Sequence, residues 1–179
     1  MQTNTLKFSM LALLMLAGAL TSCNKDESTE QEVITTVVAH LVAADGSLDQ
    51  TFEWNDADGP GGNAPTIDNI LLAANKTYNC TLEVYDRSTT PDRDLTVEID
   101  AEKTAHLFVY TADGVNITVS SNDTDANGKP YDRVGIWQTG TASVGSMTIV
   151  LKHEPDKNAA NPAQTGDTDF EVAFPVRIQ

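Results

Sequence analysis

Apolar residues recur at every second position in short runs along most of the chain. In 77–85, Tyr78, Cys80, Leu82 and Val84 alternate with polar neighbours, and Phe52 and Trp54 do the same in 50–54. Successive side chains of a strand point to opposite faces, so this period marks strands with one buried face. The runs 33–42, 107–111, 115–119, 134–138, 146–152 and 170–178 read alike, the first being rich in β-branched residues. Short strands at this spacing predict an all-β domain over 33–179, a single immunoglobulin-like antiparallel β-sandwich. Residues 94–105 fit two readings. Leu95, Val97 and Ile99 alternate as in a strand, yet Asp94 suits the N-cap of a short helix ending near Ala105. Pro175, inside the last run, points to an edge strand or a bulge, because proline cannot donate to a ladder.

The connections between these runs share a chemistry. Ala-Asp-Gly occurs at 44–46, 57–59 and 112–114, and Ala-Asn-Gly at 126–128. Asp-Gly and Asn-Gly accept the positive φ of tight hairpins, so each is first of all a turn. No repeat is long enough to build a solenoid or propeller. A polar loop, 157–168, leads into the final strand.

The N-terminal segment breaks the pattern. Residues 1–22 hold one charge, Lys7, then an apolar run at 8–20 and the small residues Thr21 and Ser22. This is the layout of a secretory signal, and the run falls short of the roughly 20 apolar residues of a membrane span. Leu-Thr-Ser-Cys at 20–23 resembles a bacterial lipobox. The resemblance implies cleavage before Cys23, lipidation of Cys23, and an acidic tether at 23–32. Several acyl chains anchor a protein stably where one does not. The Asn-Lys-Asp-Glu that follows, at 24–27, resembles the export signal of surface lipoproteins in Bacteroidota. The expected location is the outer membrane, lipid-anchored and facing the exterior.

Charge narrows the partners. The chain has 26 acidic and 11 basic residues, a formal net charge of −15. No basic stripe is present to neutralise phosphates, which argues against nucleic acid. Such charge favours solubility and is compatible with cation binding. With Cys23 lipidated, Cys80 has no partner for an internal disulfide, and its place in an alternating run predicts a buried, inert thiol.

Two loops could hold a ligand. In Asp123-Thr-Asp125-Ala-Asn127-Gly128, oxygen-bearing side chains alternate ahead of a turn glycine, as in the first half of a calcium loop. The twelfth position is Val134, not an acid, although Asp132 lies nearby. Asp123, Asp125, Asn127 and Asp132 are therefore candidate calcium ligands, or simply the members of an acidic hairpin loop. The second loop, 55–63, contains Asp56, Asp58, Gly61, Gly62 and Asn63 and allows close backbone approach to a ligand. It lacks the lysine and hydroxyl of a phosphate loop. The three histidines, His40, His106 and His153, lie on separate predicted strands, so spacing does not say whether they meet. His-Glu-Pro at 153–155 is not a zinc-protease helix: the second histidine is absent and proline breaks the helix. Residues 140–145 miss the hydrolase nucleophile elbow by one position and lack its strand-to-helix turn. Trp54 and Trp137 could stack on a sugar but sit in strands, where core packing is the ordinary role.

Several segments together resemble a group of small Bacteroidota lipoproteins. They are Asp-Gly-Pro-Gly-Gly-Asn-Ala-Pro-Thr at 58–66, His-Leu-Phe-Val-Tyr at 106–110, the loop 123–130, Trp-Gln-Thr-Gly at 137–140 and Leu-Lys-His-Glu-Pro-Asp-Lys at 151–157. Members carry the label of a type 1 periplasmic-binding fold, which denotes two α/β domains; the residues here read as one β domain. The group tends to accompany TonB-dependent outer-membrane receptors. The resemblance thus implies a non-enzymatic accessory that binds or presents a ligand beside such a receptor. Its motifs include His106 and His153 but not His40, which makes the first two the pair to follow. A structural or adhesive surface module is the competing reading, and a hydrolase the third.

Overall fold

The computed structural model describes residues 33–59, 61–121 and 123–179. The expected signal at 1–22 and the tether at 23–32, Cys23 included, lie outside the described residues. Among the described residues, eleven strands form two packed sheets: β1 Thr36–Ala43, β2 Asp49–Asn55, β3 Thr66–Ile67, β4 Ile70–Leu72, β5 Thr77–Asp86, β6 Arg93–Asp94, β7 His106–Asp113, β8 Ile117–Ser120, β9 Val134–Thr139, β10 Ser143–His153 and β11 Asp167–Ile178. A short helix, α1 Thr96–Ala101, and a 3₁₀ turn, Pro162–Gln164, are the other elements among the described residues. The first sheet runs β3-β2-β1-β5-β9-β8, with β6 also on β5; the second runs β4-β11-β10-β7. The expected β-sandwich architecture is thus present, with one short helix.

The alternating runs bury the faces their period implies. Tyr78, Cys80, Leu82 and Val84 of β5 pack against Met147, Ile149 and Leu151 of β10 and Phe170, Val172, Phe174, Val176 and Ile178 of β11 in one core. Trp137 is fully buried in this core and meets Tyr110 edge-on, with ring centroids 6.2 Å apart. Burying each large apolar side chain is worth roughly 1.5–3 kcal/mol, and this shared face is what joins the two sheets. Trp54 is only partly buried, packed on the edge of the core. The Cys80 thiol is buried and free, and burial pushes its pKa up. All four Asp-Gly or Asn-Gly turns place glycine at positive φ, between 69° and 74°.

One feature departs from the expected pattern and two resolve readings it left open. First, the sandwich is not wholly antiparallel: β4 runs parallel to β11, pairing Ile70 with Val176 and Leu72 with Ile178. The chain crosses from the first sheet at Ile67 to the second at Ile70 through Asp68 and Asn69 alone. Asp68 pins this crossing, its amide donating to the Glu53 carbonyl and its carboxylate accepting from the Glu53 amide, both at 2.9 Å. Second, 94–105 resolves as the helix. Leu95 and Ile99 are buried while Val97 is 67% exposed, a spacing of four rather than two. Asp94 stands one residue before the N-cap, Leu95, and accepts from the Thr96 amide at 2.9 Å. Third, Pro175 sits where β11 is still an edge, one residue before β4 begins to pair with it. The bulge in β11 lies further back, opposite Leu151 and Lys152.

Candidate metal centre

That bulge places the one acid that joins two histidines. β7 begins at His106 and β10 ends at His153, and the ladder sets them directly opposite each other. Cross-strand neighbours on one face stand close enough to interact. Here the imidazoles stack, with centroids 5.0 Å apart and planes 23° from parallel. Two residues further along each strand, Phe108 and Leu151 form a core pair, so by alternation the histidines continue the core face at the end of the second sheet. On the other side of β10 the register shifts from Leu151 opposite Phe170 to Lys152 opposite Thr168. Asp169 is the extra residue between. A bulge re-aims a side chain, and the Asp169 side chain, 5% exposed, is turned inward. Its Oδ2 lies 3.7 Å from His106 Nε2 and its Oδ1 3.5 Å from His153 Nδ1. The strand can approach because Gly166 precedes it at φ 69°; a Cβ there would run into the His153 carbonyl oxygen.

Among the described residues, these three make the only group of three or more His, Cys, Asp or Glu side chains whose ligand atoms converge, all within 4.8 Å of one another. Burial sets the electrostatics of His106 and Asp169. It lowers the His106 pKa, against the Glu102 carbonyl and the Asp169 carboxylate, which pull it upward. It raises the Asp169 pKa, against the opposing pull of both histidines. The Glu102 carbonyl, at the C-cap of α1, lies 3.1 Å from His106 Nδ1. That contact places the proton of neutral His106 on Nδ1 and leaves Nε2 with a lone pair directed at Asp169. Asp169 Oδ2 is buried with no hydrogen-bond partner. A carboxylate held ionised there without compensation is costly. His153, with its side chain 23% exposed, forms the side of the cluster nearest solvent.

The other candidate residues are arranged differently. His40 is away from this cluster, 2.7 Å from Asp49. In the acidic loop Asp125 is already engaged: its Oδ2 takes the Lys157 ammonium at 3.0 Å, and its Oδ1 takes the Asn127 and Lys129 amides at 2.8 and 3.0 Å. Lys157 therefore stands against the carboxylate that a calcium ion would need. Asp123 accepts from the Val134 amide at 3.1 Å. Asp132, at φ 64°, presents its carbonyl to the Tyr110 hydroxyl at 2.9 Å, and burial raises its carboxyl pKa, with Asp123 adding to the rise. Asp123, Asp125 and Asp132 do not converge as the histidine cluster does. Asn127 enters the loop through its amide.

In the second candidate loop, Asp58 bonds to Asn63. Asp58 Oδ2 accepts from the Asn63 amide at 2.9 Å and from its Nδ2 at 2.6 Å, and the carboxylate lies over Gly62 where a Cβ would be. Gly61 takes φ 90° and is exposed. The Asp56 carboxyl pKa is raised by burial and by the adjacent Asp58. A separate apolar cleft of about 300 Å³ opens beside β7 and β8, lined by Leu107, Val109, Tyr110, Val119, Pro130 and Pro162. Sequence reasoning reached His106 and His153 but missed Asp169, because 167–169 fell outside the predicted strand and a bulge leaves no mark in an alternating pattern. No family model, curated protein or solved structure matches the chain.

Proposed function

We propose that this protein is a lipid-anchored, non-enzymatic, immunoglobulin-like sandwich on the outer face of the outer membrane. It holds a ligand and presents it to a TonB-dependent uptake receptor. The observation that carries the binding role is the convergence of His106, His153 and Asp169 at one end of a rigid sheet. Strands position such groups more firmly than loops, and the ends of a sandwich are where binding residues ordinarily sit. The anchoring half of the proposal rests on the lipobox-like Leu-Thr-Ser-Cys, ending at Cys23, and on the charged residues behind it. The receptor half rests on the resemblance to receptor-associated lipoproteins.

The test is co-purification. The protein carries a C-terminal tag on a flexible linker, outer membranes are dissolved in mild detergent, and the recovered proteins are identified and quantified. A TonB-dependent receptor at near-equal amount is the expected result. Recovery of the lipidated protein alone would overturn the receptor role and favour a free-standing or adhesive module. Protease treatment of intact cells reads the outward orientation separately.

A further inference from the structure

We infer that His106, His153 and Asp169 form a binding site for one divalent first-row transition-metal ion, zinc foremost. This names the ligand class of the centre proposed above and rests on that reading only for its biological purpose; the chemistry stands on the geometry of the three side chains.

Distances decide between a metal site and an ordinary ion pair. An Asp–His pair that stabilises itself does so through hydrogen bonds near 2.7–2.9 Å. The two separations here, 3.5 Å from His153 Nδ1 to Oδ1 and 3.7 Å from His106 Nε2 to Oδ2, are both longer than that. They are close to the edge of a tetrahedron built on metal–ligand distances near 2.1 Å, which is about 3.4 Å. Small side-chain rotations bring all three donors to one centre from within 4.8 Å. Asp169 Oδ2, buried and without a hydrogen-bond partner, is the kind of group that a cation would complete.

The surroundings match what a metal requires of its ligands. A coordinating histidine uses one ring nitrogen for the metal and donates the other to a carbonyl or carboxylate. His106 does this, with Nδ1 on the Glu102 carbonyl and Nε2 turned to the cluster. Two imidazole nitrogens and one carboxylate oxygen suit zinc and its neighbours, whereas calcium prefers an all-oxygen shell. Three protein ligands leave a fourth position, reached from the His153 side. Water or a donor atom of another molecule can take it, so the ion can be handed on or can bridge to a partner.

The experiment is metal titration of the intact folded domain, purified after chelator treatment. Zinc is added in a calorimeter, and cobalt(II) is added in parallel as a spectroscopic probe of coordination. One ion per chain is expected, with visible ligand-field bands of a low-coordinate cobalt site and no displacement by excess calcium. Asp169→Asn and His153→Ala are expected to weaken zinc at least ~100-fold, a loss beyond the 10–100-fold typical of removing an outer-shell partner. His40→Ala, outside the cluster, is expected to bind as the parent does. His153 is the most exposed of the three, so its variant keeps the test open if Asp169→Asn fails to fold. Absence of stoichiometric zinc binding, or binding that survives both substitutions, overturns the inference. Receptor co-purification is read on the same preparations. A receptor complex without metal binding would remove the metal alone, and metal binding without a receptor would remove only the uptake role.

Discussion

Replacing Lys157 by methionine tests whether an internal cation, rather than an added one, balances the acidic loop. The Lys157 and Asp125 side chains are 6% and 1% exposed, and Nζ lies 3.0 Å from Oδ2. The ammonium also donates to the Lys103 carbonyl at 2.6 Å. Methionine keeps the length and removes the charge, leaving a buried carboxylate oxygen without its donor and the Lys103 carbonyl with the His106 amide alone, at 3.4 Å. Removing one member of a buried pair costs about 3–5 kcal/mol. Asp125 retains its two amide hydrogen bonds, which places the expected loss near the lower end, about 3 kcal/mol. For a domain near this size Tm moves about 2–4 °C per kcal/mol, so a fall of about 6–12 °C is expected in a calorimetric melt at pH 7. The double variant Lys157→Met/Asp125→Asn is expected to recover part of this loss, because no buried charge is left unpaired; coupled neighbours show about 0.5–3 kcal/mol of non-additivity. A single-variant shift below about 2 °C would refute the reasoning, as would strict additivity in the cycle. A rise in the parent's Tm with calcium would show that the loop takes an added ion despite the lysine.

The remaining expectations follow from the same structure. Asp125 is buried, which alone would raise its pKa, but the Lys129 amide, the Lys157 ammonium and the Asn127 amide outweigh burial and hold it below the usual value. A depressed folded pKa means its contribution is complete above the unfolded value, about 3.9, and is lost as pH falls through the folded one. The Tm gap between the parent and Asp125→Asn should therefore stay constant from pH 7 to about 5 and narrow below about 4. Gly145→Ala should cost about 2–4 kcal/mol, read by urea unfolding, because its Cβ would overlap the Asp113 carbonyl oxygen and lie 2.6 Å from the Gly114 carbonyl carbon. A cost under about 1 kcal/mol would show that the β7–β8 turn yields easily. In a Cys23→Ser background, Cys80 should resist a thiol reagent in the native state and react at once in denaturant; rapid native labelling would contradict its burial.

The long strands were legible because each buries one face, and β5, β10 and β11 show that alternation over many residues. β3, β4 and β6 were not, since two or three residues cannot display a period. The helix was ambiguous because Leu95, Val97 and Ile99 satisfy a period of two. Only packing reveals that Val97 faces solvent. The parallel pairing of β4 with β11 depends on where a two-residue crossing lands, which local pattern does not encode. In the candidate centre the histidines were visible as residues but not as neighbours. Their meeting depends on the β7–β10 register, and Asp169 depends on a bulge. The acidic loop shows the converse: its alternating oxygens were plain, but the cation facing Asp125 comes from Lys157, which lies beyond β10.

The position of β11 also governs the order in which this molecule can assemble. Although drawn from residues 167–178, it is hydrogen-bonded to β10 on one side and, over Val176–Ile178, to β4 on the other. Ile70 must wait for Val176. A ribosome delivering the chain from its N-terminus supplies β1, β2 and β5 early and β7 and β10 later, yet β4 has no partner in its sheet until β11 emerges. Pairings across such long stretches are slow to form. A polypeptide with this wiring completes its second sheet late, only once its last dozen residues are available.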